Sequence, residues 1–347
     1  MIEALKIIAP GTSLRVALEN ILNANTGALI IISSDEKIMK LADGGFNINA
    51  PCTPTNLYEL AKMDGAIILS SDLKNILKAN VQMIPNSNIA SNETGTRHRT
   101  AQRLAKQTGE IIIAVSQRRN IITLYVNEQK YVIKDVSKIL AEANQSLQIL
   151  EKYKKVFNEN ILKLNLLEFQ DLVTIFDVVS AIQKVESVIR ISRIIEEYII
   201  ELGDESELIK MQLEELFSGT FDCREKLIMD YAISENNAET YIENLKKMSD
   251  EDMMDLKKIA KLLGYTGSTD DLSLQVNSKG YRLLYKIERL PHSIIENLIN
   301  YFGNFKNIFE SSKEELCEVE GIGESRAEHI KKSLNKMQQF VIFDKNI

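Results

Sequence analysis

Proline is missing from the middle of this chain, and its absence limits the possible folds more than any other feature of the sequence. Four of the five prolines (Pro10, Pro51, Pro54 and Pro85) lie in the first quarter, and the fifth is Pro291. The 205 residues between the last two contain none. Because proline removes a backbone hydrogen-bond donor and clashes with the preceding turn, a segment without it can form long helices. The sequence therefore predicts a helical middle region.

Length and charge restrict the classes of protein to which the chain can belong. With 347 residues, two or three domains are expected. Hydrophobic residues make up 44% and charged residues 26%, which is an ordinary balance for a soluble globular protein. The net charge of −7 argues against a protein that coats nucleic acid through bulk positive charge. Any contact with DNA must therefore be local, or be multiplied by oligomerisation.

The cysteines and the apolar runs indicate the compartment. Cys52, Cys223 and Cys317 lie far apart without a CxxC spacing, which argues against a zinc site or a disulfide framework. A reducing environment is the simplest fit to that pattern. No apolar run approaches the roughly 18 residues of a membrane span, and the N-terminus lacks the pattern of a secretory leader. We expect a cytoplasmic protein with no membrane partner.

Strand-like and helix-like segments alternate over residues 1–145. Apolar periodicity predicts helices at 13–24, 55–62, 72–79 and 97–107. Short apolar runs predict strands at 28–32, 65–70, 111–115, 120–126 and 130–134. Thr12 or Ser13 is expected to cap the first helix, and Thr53 followed by Pro54 opens the second. The interleaving implies an α/β domain with a mixed sheet and helices packed on its faces.

The rest of the chain predicts two all-α regions. A long amphipathic helix begins at Val136 and crosses the first domain boundary. Further helices are expected at 171–202, 205–217, 221–233, 237–248 and 250–263, followed by a loop over 264–273. The predicted fold class is therefore multi-domain, α/β plus all-α. Its domains are an α/β domain at 1–145, a helical linker domain at 146–285 and a small helix–hairpin–helix domain at 286–347.

Asp64 and Gly65 form the first candidate site. Asp-Gly alone is typical of a simple turn, and that interpretation remains open on the dipeptide by itself. The pair stands, however, between a predicted helix and a buried strand. Glycine lets a ligand approach the backbone, and the adjacent carboxylate is suited to hold Mg²⁺ or Mn²⁺ bridging phosphate oxygens.

Residues 95–100 form a basic helix start, and this is the second candidate site. Thr94 or Thr96 is expected to cap a helix whose free N–H groups and dipole attract anions. Arg97 and Arg99 add charge-assisted contacts to phosphate. Because residues two apart face different sides of a helix, either the segment is not regular helix, or the two arginines serve different phosphates or different subunits. The alternative interpretation of this segment is a solvated basic helix start, and it would be the favoured one if the sequence lacked Asp64.

Two further residues near this segment can join the site. His98 either donates to phosphate or fixes the loop. Ser116 follows a predicted strand, and ligands often bind beyond the carboxyl ends of strands. Arg118 and Arg119 are more typical of a solvated turn, and a contribution of either one to the site is the alternative.

Gly321, Ile322 and Gly323 lie between two predicted helices and fit a helix–hairpin–helix. Glycines there expose backbone N–H groups that can meet a DNA phosphate without reading sequence. The flanking apolar residues are spaced to pack one helix on the other. Residues 286–347 carry nine Lys/Arg against ten Asp/Glu, so one copy is expected to bind DNA weakly.

Several stretches of this sequence resemble the DisA family of DNA integrity scanning proteins, which are bacterial diadenylate cyclases. They are PGTSLR at 10–15, NANTGALI at 23–30, LYELAKMDGAIIL at 57–69, ETGTRHRTAQRLAKQTG at 93–109, SQRRNIITLY at 116–125 and VEGIGESRA at 319–327. The resemblance implies a cyclase domain, a helical linker, a DNA-binding helix–hairpin–helix domain and a homo-octamer of two tetrameric rings. It also implies that two ATP are condensed into cyclic di-AMP with release of two pyrophosphates, using Mg²⁺ or Mn²⁺, in connection with scanning for branched or damaged DNA.

The resemblance also implies roles for individual residues. Asp64 would hold the metal and help to activate a ribose 3′-hydroxyl, and Gly65 would lie against the nucleotide. Met83, where the family usually has leucine, would border the adenine. The triphosphate would be held by Thr96, Arg97, His98, Arg99 and Thr100, with help from Ser116. The site would form where two cyclase domains face each other, so that each subunit supplies one ATP.

One departure from the family pattern concerns DNA. Glu328 stands where a basic or neutral residue is expected, and Glu324 is also close to the hairpin, so the DNA affinity of a single copy is expected to be low. Several weak sites on one octamer would compensate by avidity. Two functions follow: a diadenylate cyclase regulated by DNA, or a DNA-structure-binding scaffold whose nucleotide-binding domain is inactive. Synthesis of cyclic di-AMP from ATP and Mn²⁺ separates them.

Overall fold

The computed structural model describes residues 1–233, 238–265 and 272–344. They divide into two compact units: unit 1 comprises Met1–Gln145 with Glu196–Met211, and unit 2 comprises Ser146–Ile195 with Gln212–Ile347. The predicted fold class, an α/β domain with a mixed sheet followed by helical regions, is confirmed.

Eight strands form one mixed sheet in unit 1. They are β1 (Ala28–Ile32), β2 (Ala42–Asp43), β3 (Phe46–Pro51), β4 (Ala66–Leu69), β5 (Asn75–Met83), β6 (Ile111–Ser116), β7 (Ile121–Val126) and β8 (Gln129–Val132). Their order is β2-β5-β4-β1-β6-β7-β8, and β3 also pairs with β5. β1 and β4 are parallel, whereas the other pairs are antiparallel.

Helices cover both faces of the sheet, which is why all five residues of β1 are buried. One face packs on α1 (Ile2–Ile7), α2 (Ser13–Asn23) and α4 (Pro54–Leu60). The other face packs on α3 (Glu36–Lys40) and α5 (Thr96–Thr108). The helix starts follow local chemistry: the Thr12 hydroxyl accepts from the Arg15 N–H and the Thr53 hydroxyl from the Asn56 N–H, which are the third residues of α2 and α4.

The helix predicted over 72–79 is wrong, because β5 begins at Asn75. A tight turn precedes the strand: Leu73 has a φ of +58°, and the Asn75 N–H donates to the Ser70 hydroxyl at 3.0 Å. β5 then pairs with β4 on one side and β3 on the other. These two ladders override the helical propensity of the Leu77-Lys78-Ala79 segment.

Helices make up unit 2 and connect it to unit 1. They are α6 (Val136–Gln170), α7 (Ile175–Leu202), α8 (Glu207–Phe217), α9 (Thr220–Tyr231), α10 (Ala238–Lys247), α11 (Asp250–Met254), α12 (Leu256–Leu262), α13 (Tyr281–Leu284), α14 (His292–Phe302), α15 (Phe305–Glu310), α16 (Lys313–Cys317) and α17 (Glu324–Asp344). A 3₁₀ turn, Gly203–Ser206, joins α7 to α8. The long helices expected from the absence of proline are α6 and α7, with 35 and 28 residues.

Two predictions for this region need comment. The single helix predicted over 250–263 is two helices, because Asp255 is extended and its carboxylate caps α12 by accepting from the Lys257 N–H. Most of the loop predicted over 264–273, namely 266–271, lies outside the described residues. The predicted first residue of the helix 237–248 also lies outside them. The domain boundary at 285 stays a prediction, and one apolar cluster of unit 2 includes both Leu283 and Leu334.

A buried ionic cluster joins α6, α9 and α13 within unit 2. The Arg282 guanidinium, 2% exposed, donates to Asn165 and Glu168, and the Tyr231 hydroxyl donates to Glu168 at 2.6 Å. Asp230 accepts three backbone N–H groups at the start of α13, at 2.6 to 3.1 Å. Because these charges are removed from water, the arrangement depends on every partner being present.

Candidate functional site

One end of the sheet brings together four residues. β1 pairs with β4 from Leu29 and Ala66 onward, so Gly27 and Asp64, each two residues earlier, lie at the same end of the sheet. The register of β1 against β6, continued by one residue, places Ser116 on the other side of Gly27. Met83 is the last residue of β5, and the pairing of Ala66 with Val81 puts it at this end too. Because β4 and β6 lie on opposite sides of β1, Asp64 and Ser116 lie on opposite sides of Gly27.

The Asp64-Gly65 pair is both a turn and an open carboxylate. Gly65 has a φ of +90°, and a Cβ there would lie 2.9 Å from the backbone of Asn80 and Val81. Glycine is therefore required for the close approach of β4 to β5. Asp64 is exposed, and its carboxylate has no hydrogen-bond or ion-pair partner within 1–233, 238–265 and 272–344.

The N-terminus of α5 has no side-chain cap. Neither Thr94 nor Thr96 caps it as predicted; the cap position is Gly95, which has no side chain to accept from the helix. The first helical bond runs from the Arg99 N–H to the Gly95 carbonyl at 2.9 Å. In the described structure, the N–H groups of residues 96–98 therefore have no acceptor, which leaves this helix end suited to an anion.

Arg97 and Arg99 lie in a regular helix, and their side chains point in different directions. The Arg97 guanidinium lies against Gly27, where a Cβ would come within 2.2 Å of Nη1. Arg99 folds back and donates to the carbonyls of Glu93 and Thr94, each at 3.3 Å. The irregular-segment interpretation is thereby excluded. Two alternatives stay open: the arginines serve different phosphates or different subunits.

Gly27 belongs to this end of the sheet and was missed as a site residue, whereas for Arg119 a place at the site was the less favoured alternative. Gly27 provides the space that the Arg97 guanidinium occupies, and the only sequence signal is a glycine directly before a buried strand. Arg119, predicted as a solvated turn, donates its N–H to the Ser116 hydroxyl and its guanidinium to the Thr94 hydroxyl, both at 3.3 Å. The turn after β6 is thus tied to the loop before α5.

The predicted hairpin is present in unit 2. Gly321 has a φ of +85°, and its N–H and that of Gly323 donate to no residue in the described ranges. Ile322 is 5% exposed and its N–H donates to the Val319 carbonyl at 3.0 Å. Ile322 therefore anchors the turn in the core, and the two glycines are the residues that can present backbone donors.

Replacing Gly321 with alanine is expected to destabilise unit 2 by about 1 kcal/mol or more, because alanine resists this φ and its Cβ would lie 2.5 Å from Ile294. Gly323→Ala is the matched control, since a Cβ there meets nothing within 4 Å. Denaturant unfolding of both variants measures the difference. Equal stabilities would contradict the constraint at Gly321.

Family comparisons agree with this layout. Three family models match in order: the nucleotide-binding region of the DisA bacterial checkpoint controller at 15–130, the linker region of the same controller at 133–272, and the helix-hairpin-helix motif at 304–333. The chain is 54% identical to the DNA integrity scanning protein DisA of Clostridioides difficile (strain 630), over 100% of this chain and 98% of that protein. The chain belongs to the DisA family. Its identity to DisA of Clostridium perfringens (strain SM101 / Type A) is 52%, over 99% and 97%.

DisA membership confirms the resemblance drawn from the motifs. The end of the sheet that holds Asp64, Arg97 and Ser116 lies within the DisA nucleotide-binding match, and the hairpin glycines lie within the helix-hairpin-helix match. The roles of the individual residues stay predictions. Nothing at the site favours the inactive scaffold, because Asp64, Arg97 and Arg99 are all in place.

Beneath the N-terminus of α5 lies a row of hydrogen bonds that is buried at His98, Tyr125 and Glu93 and ends at the exposed Lys130. The Lys130 ammonium pairs with Glu93 at 2.5 Å, the Tyr125 hydroxyl donates to the same carboxylate oxygen at 3.0 Å, and His98 Nδ1 lies 2.9 Å from the Tyr125 oxygen. Burial raises the pKa of Glu93, but the bonds from Lys130 and Tyr125 outweigh it and hold that pKa below its usual value. Glu93 is therefore an ionised acceptor.

The number of protons available to these hydrogen bonds determines the tautomer of His98. A carboxylate can only accept, so the single Tyr125 proton points to Glu93, and His98 must donate from Nδ1. Burial, with Arg119, Lys130 and Arg97 nearby, lowers the pKa of His98 despite the opposing charge of Glu93, so the ring is neutral. Nε2 is then an unprotonated acceptor, and it is buried without a partner in the described structure.

The donors at the site suit a divalent metal held jointly with phosphate. The described residues contain no group of three or more His, Cys, Asp or Glu that would form a metal cage. Mg²⁺ is typically bound by one or two carboxylates together with substrate phosphates, because it keeps hard oxygen ligands and needs no all-protein cage. The exposed Asp64 carboxylate beside an anion-binding helix end fits that mode.

Proposed function

We propose that this chain is a diadenylate cyclase that condenses two ATP into cyclic di-AMP and two pyrophosphates, coupled to the scanning of DNA structure as part of a checkpoint. DisA membership supports the cyclase, and one structural observation carries the site: Asp64, Gly27 with Arg97, and Ser116 share one end of the sheet. These acidic and cationic groups are remote in sequence, and in our proposal they surround one triphosphate.

The reaction needs positioning and charge stabilisation more than covalent chemistry by the protein. The O3′ of one ATP bonds to the α-phosphorus of the other, the bond to pyrophosphate breaks, and the hydroxyl loses its proton. The α5 N–H groups and Arg97 hold the triphosphate in line for that attack, with Thr96, Thr100, Arg99 and Ser116 around it. Asp64 would hold Mg²⁺ or Mn²⁺, which supplies neutralisation of phosphate charge and acidifies the attacking hydroxyl.

Gly65 and Met83 border the nucleotide in this proposal. Met83, only 8% exposed, ends β5 at the same end of the sheet and packs into the apolar cluster under α5, where its flexible thioether suits an adenine edge. Because Nε2 of His98 carries no proton, His98 binds the nucleotide as an acceptor from a hydroxyl or amino group, and the donation to phosphate considered from sequence is not the mode we propose.

Tyr125→Phe tests the assignment of His98. Loss of the Tyr125 oxygen removes the acceptor for Nδ1–H, so we expect a mixture of tautomers and a fall in cyclase rate of about 10-fold or more, by analogy with the hydrogen-bond partners of metal-binding histidines. Solid-state ¹⁵N NMR of the full chain, which has three histidines, reads the protonated nitrogen directly.

Tyr131→Phe is the matched control, because it removes a hydroxyl bonded to Glu201 at 2.6 Å and leaves His98 untouched. An Nδ1–H signal for His98 that persists in Tyr125→Phe, with an unchanged rate, would refute the positioning role of Tyr125.

The two-ATP stoichiometry implies a two-fold pair of cyclase domains. Identical half-sites that face each other each present one ATP, so both bond-forming steps use the same residues. We propose a homo-octamer, in which several hairpins bind branched or damaged DNA together despite Glu324 and Glu328 near each one. A cytoplasmic location fits the three free cysteines. Among the residues that the structure describes, no helix is long and apolar enough to span a bilayer.

Incubation of the pure full chain with ATP and Mn²⁺ tests the function. We expect cyclic di-AMP and pyrophosphate in a ratio of one to two, detected by chromatography and mass spectrometry. An intact oligomer that binds ATP and makes no cyclic product would support the inactive scaffold instead.

A further inference from the structure

A groove beside the last helix of unit 2 concentrates positive charge away from the hairpin. Its volume is about 450 Å³. We call it the α17 groove, and the lining residues that matter here are Lys286, Glu288, His329, Lys332, Lys336 and Phe340. Three lysines thus face a single carboxylate, although residues 286–347 as a whole carry one more acid than base.

The groove lysines are available to a ligand. Lys286, Lys332 and Lys336 are exposed and form no ion pair with any residue in the described ranges. Lys306 and Lys313 of the same unit are paired instead, at 3.0 Å from Asp171 and 3.4 Å from Glu328. The groove therefore gathers three exposed lysines that no ion pair in the described structure neutralises.

The face of α17 that lines the groove also carries an aromatic ring. Lys332, Lys336 and Phe340 are four residues apart and share one side of the helix, whereas Ala327 and Leu334 are buried in the core on another. Phe340 is 60% exposed, and Lys336 Nζ lies 5.9 Å from its ring centroid. A row of cations ending in an exposed ring is the composition that binds single-stranded nucleic acid, through phosphates and a stacked base.

We propose that the α17 groove is a second DNA site, which binds a single-stranded segment while the hairpin holds duplex backbone. This inference rests on the DNA binding proposed above. A base within a duplex is stacked on both faces and cannot cover Phe340, so the ring favours unpaired DNA. Branched or damaged DNA offers unpaired segments next to duplex, which gives the two sites one ligand.

Fluorescence anisotropy of the full chain with labelled oligothymidine, and with a duplex of equal length, tests the groove. We expect Lys332→Gln with Lys336→Gln to weaken oligothymidine binding and to reduce its salt-dependence slope by about 1.4, since each single-strand phosphate contact contributes roughly 0.7. Phe340→Ala should weaken it roughly tenfold through lost stacking. Duplex affinity should change less than about twofold.

Lys246→Gln with Lys247→Gln is the matched control, because it removes the same charge from exposed positions at the end of α10. If the Lys332/Lys336 variant binds oligothymidine with the same affinity and salt-dependence slope as this control, the groove assignment is overturned. Duplex binding by the wild-type chain would still support the DNA function. Equal weakening of duplex and single strand would overturn the single-strand assignment. A wild-type chain that bound neither DNA would instead overturn the DNA function itself, and the groove with it.

Discussion

Replacing Asp64 with asparagine is expected to lower cyclic di-AMP synthesis by at least about 10²–10³-fold and to leave the oligomer intact. Asparagine keeps the size of the side chain but removes the negative charge that would hold the metal beside the triphosphate. Asp64 has no partner in the described structure, so its charge supports no contact of the fold there. Product formation from ATP and Mn²⁺, together with the mass of the oligomer, measures both parts of this prediction.

Glu36→Gln is the control for Asp64→Asn. Glu36 is exposed in the first turn of α3, which follows the carboxyl end of β1, whereas Gly27 and Asp64 lie at the opposite end of the sheet. The Glu36→Gln variant loses the same charge as Asp64→Asn and should keep wild-type turnover. Normal synthesis by Asp64→Asn would refute the assigned role, and equal losses in both variants would point to bulk charge.

Arg282→Met is expected to destabilise unit 2 by about 3–5 kcal/mol. The substitution leaves Glu168 buried without its cationic partner. It also removes the positive charge that offsets the buried Asp230. Removing one member of a buried pair costs far more than the pair contributes, because the remaining charge stays desolvated. Denaturant unfolding, followed by a probe placed in unit 2, measures the loss.

Arg193→Met is the matched control, because Arg193 forms no ion pair within the described ranges and lies outside the cluster. Its change should remain within about 0.5 kcal/mol. Adding Glu168→Gln to Arg282→Met should recover part of the stability by removing the unpaired carboxylate. Full stability of Arg282→Met alone would show that the cluster does not hold α6, α9 and α13 together.

Patterns that depend on neighbouring residues predicted the fold well. The apolar run 28–32 is buried on both faces as β1, and the absence of proline appears as α6 and α7. Asp64 and Arg97 were recognised as candidates because carboxylate–glycine and basic helix starts carry chemistry in their spacing. Their convergence was a prediction from chemistry, and the registers around Gly27 support it.

Contacts remote in sequence could not be predicted. The segment that forms β5 has helical propensity, and only its pairing with β3 and β4 makes it a strand. Nothing in the sequence spacing indicates that Tyr125 forms hydrogen bonds with both Glu93 and His98. The cap of α5 was missed for the opposite reason: two threonines suggested a capped helix, whereas Gly95 leaves the helix end free for an anion.

The most direct test of the site is a crystal structure of the full chain with a non-hydrolysable ATP analogue and Mn²⁺, with the metal located by anomalous scattering. Our account predicts Mn²⁺ bonded to an Asp64 oxygen and to phosphate oxygens, with the triphosphate against the α5 N-terminus and Arg97, and a second nucleotide facing it from a neighbouring copy. A nucleotide bound elsewhere, or a metal remote from Asp64, would contradict it.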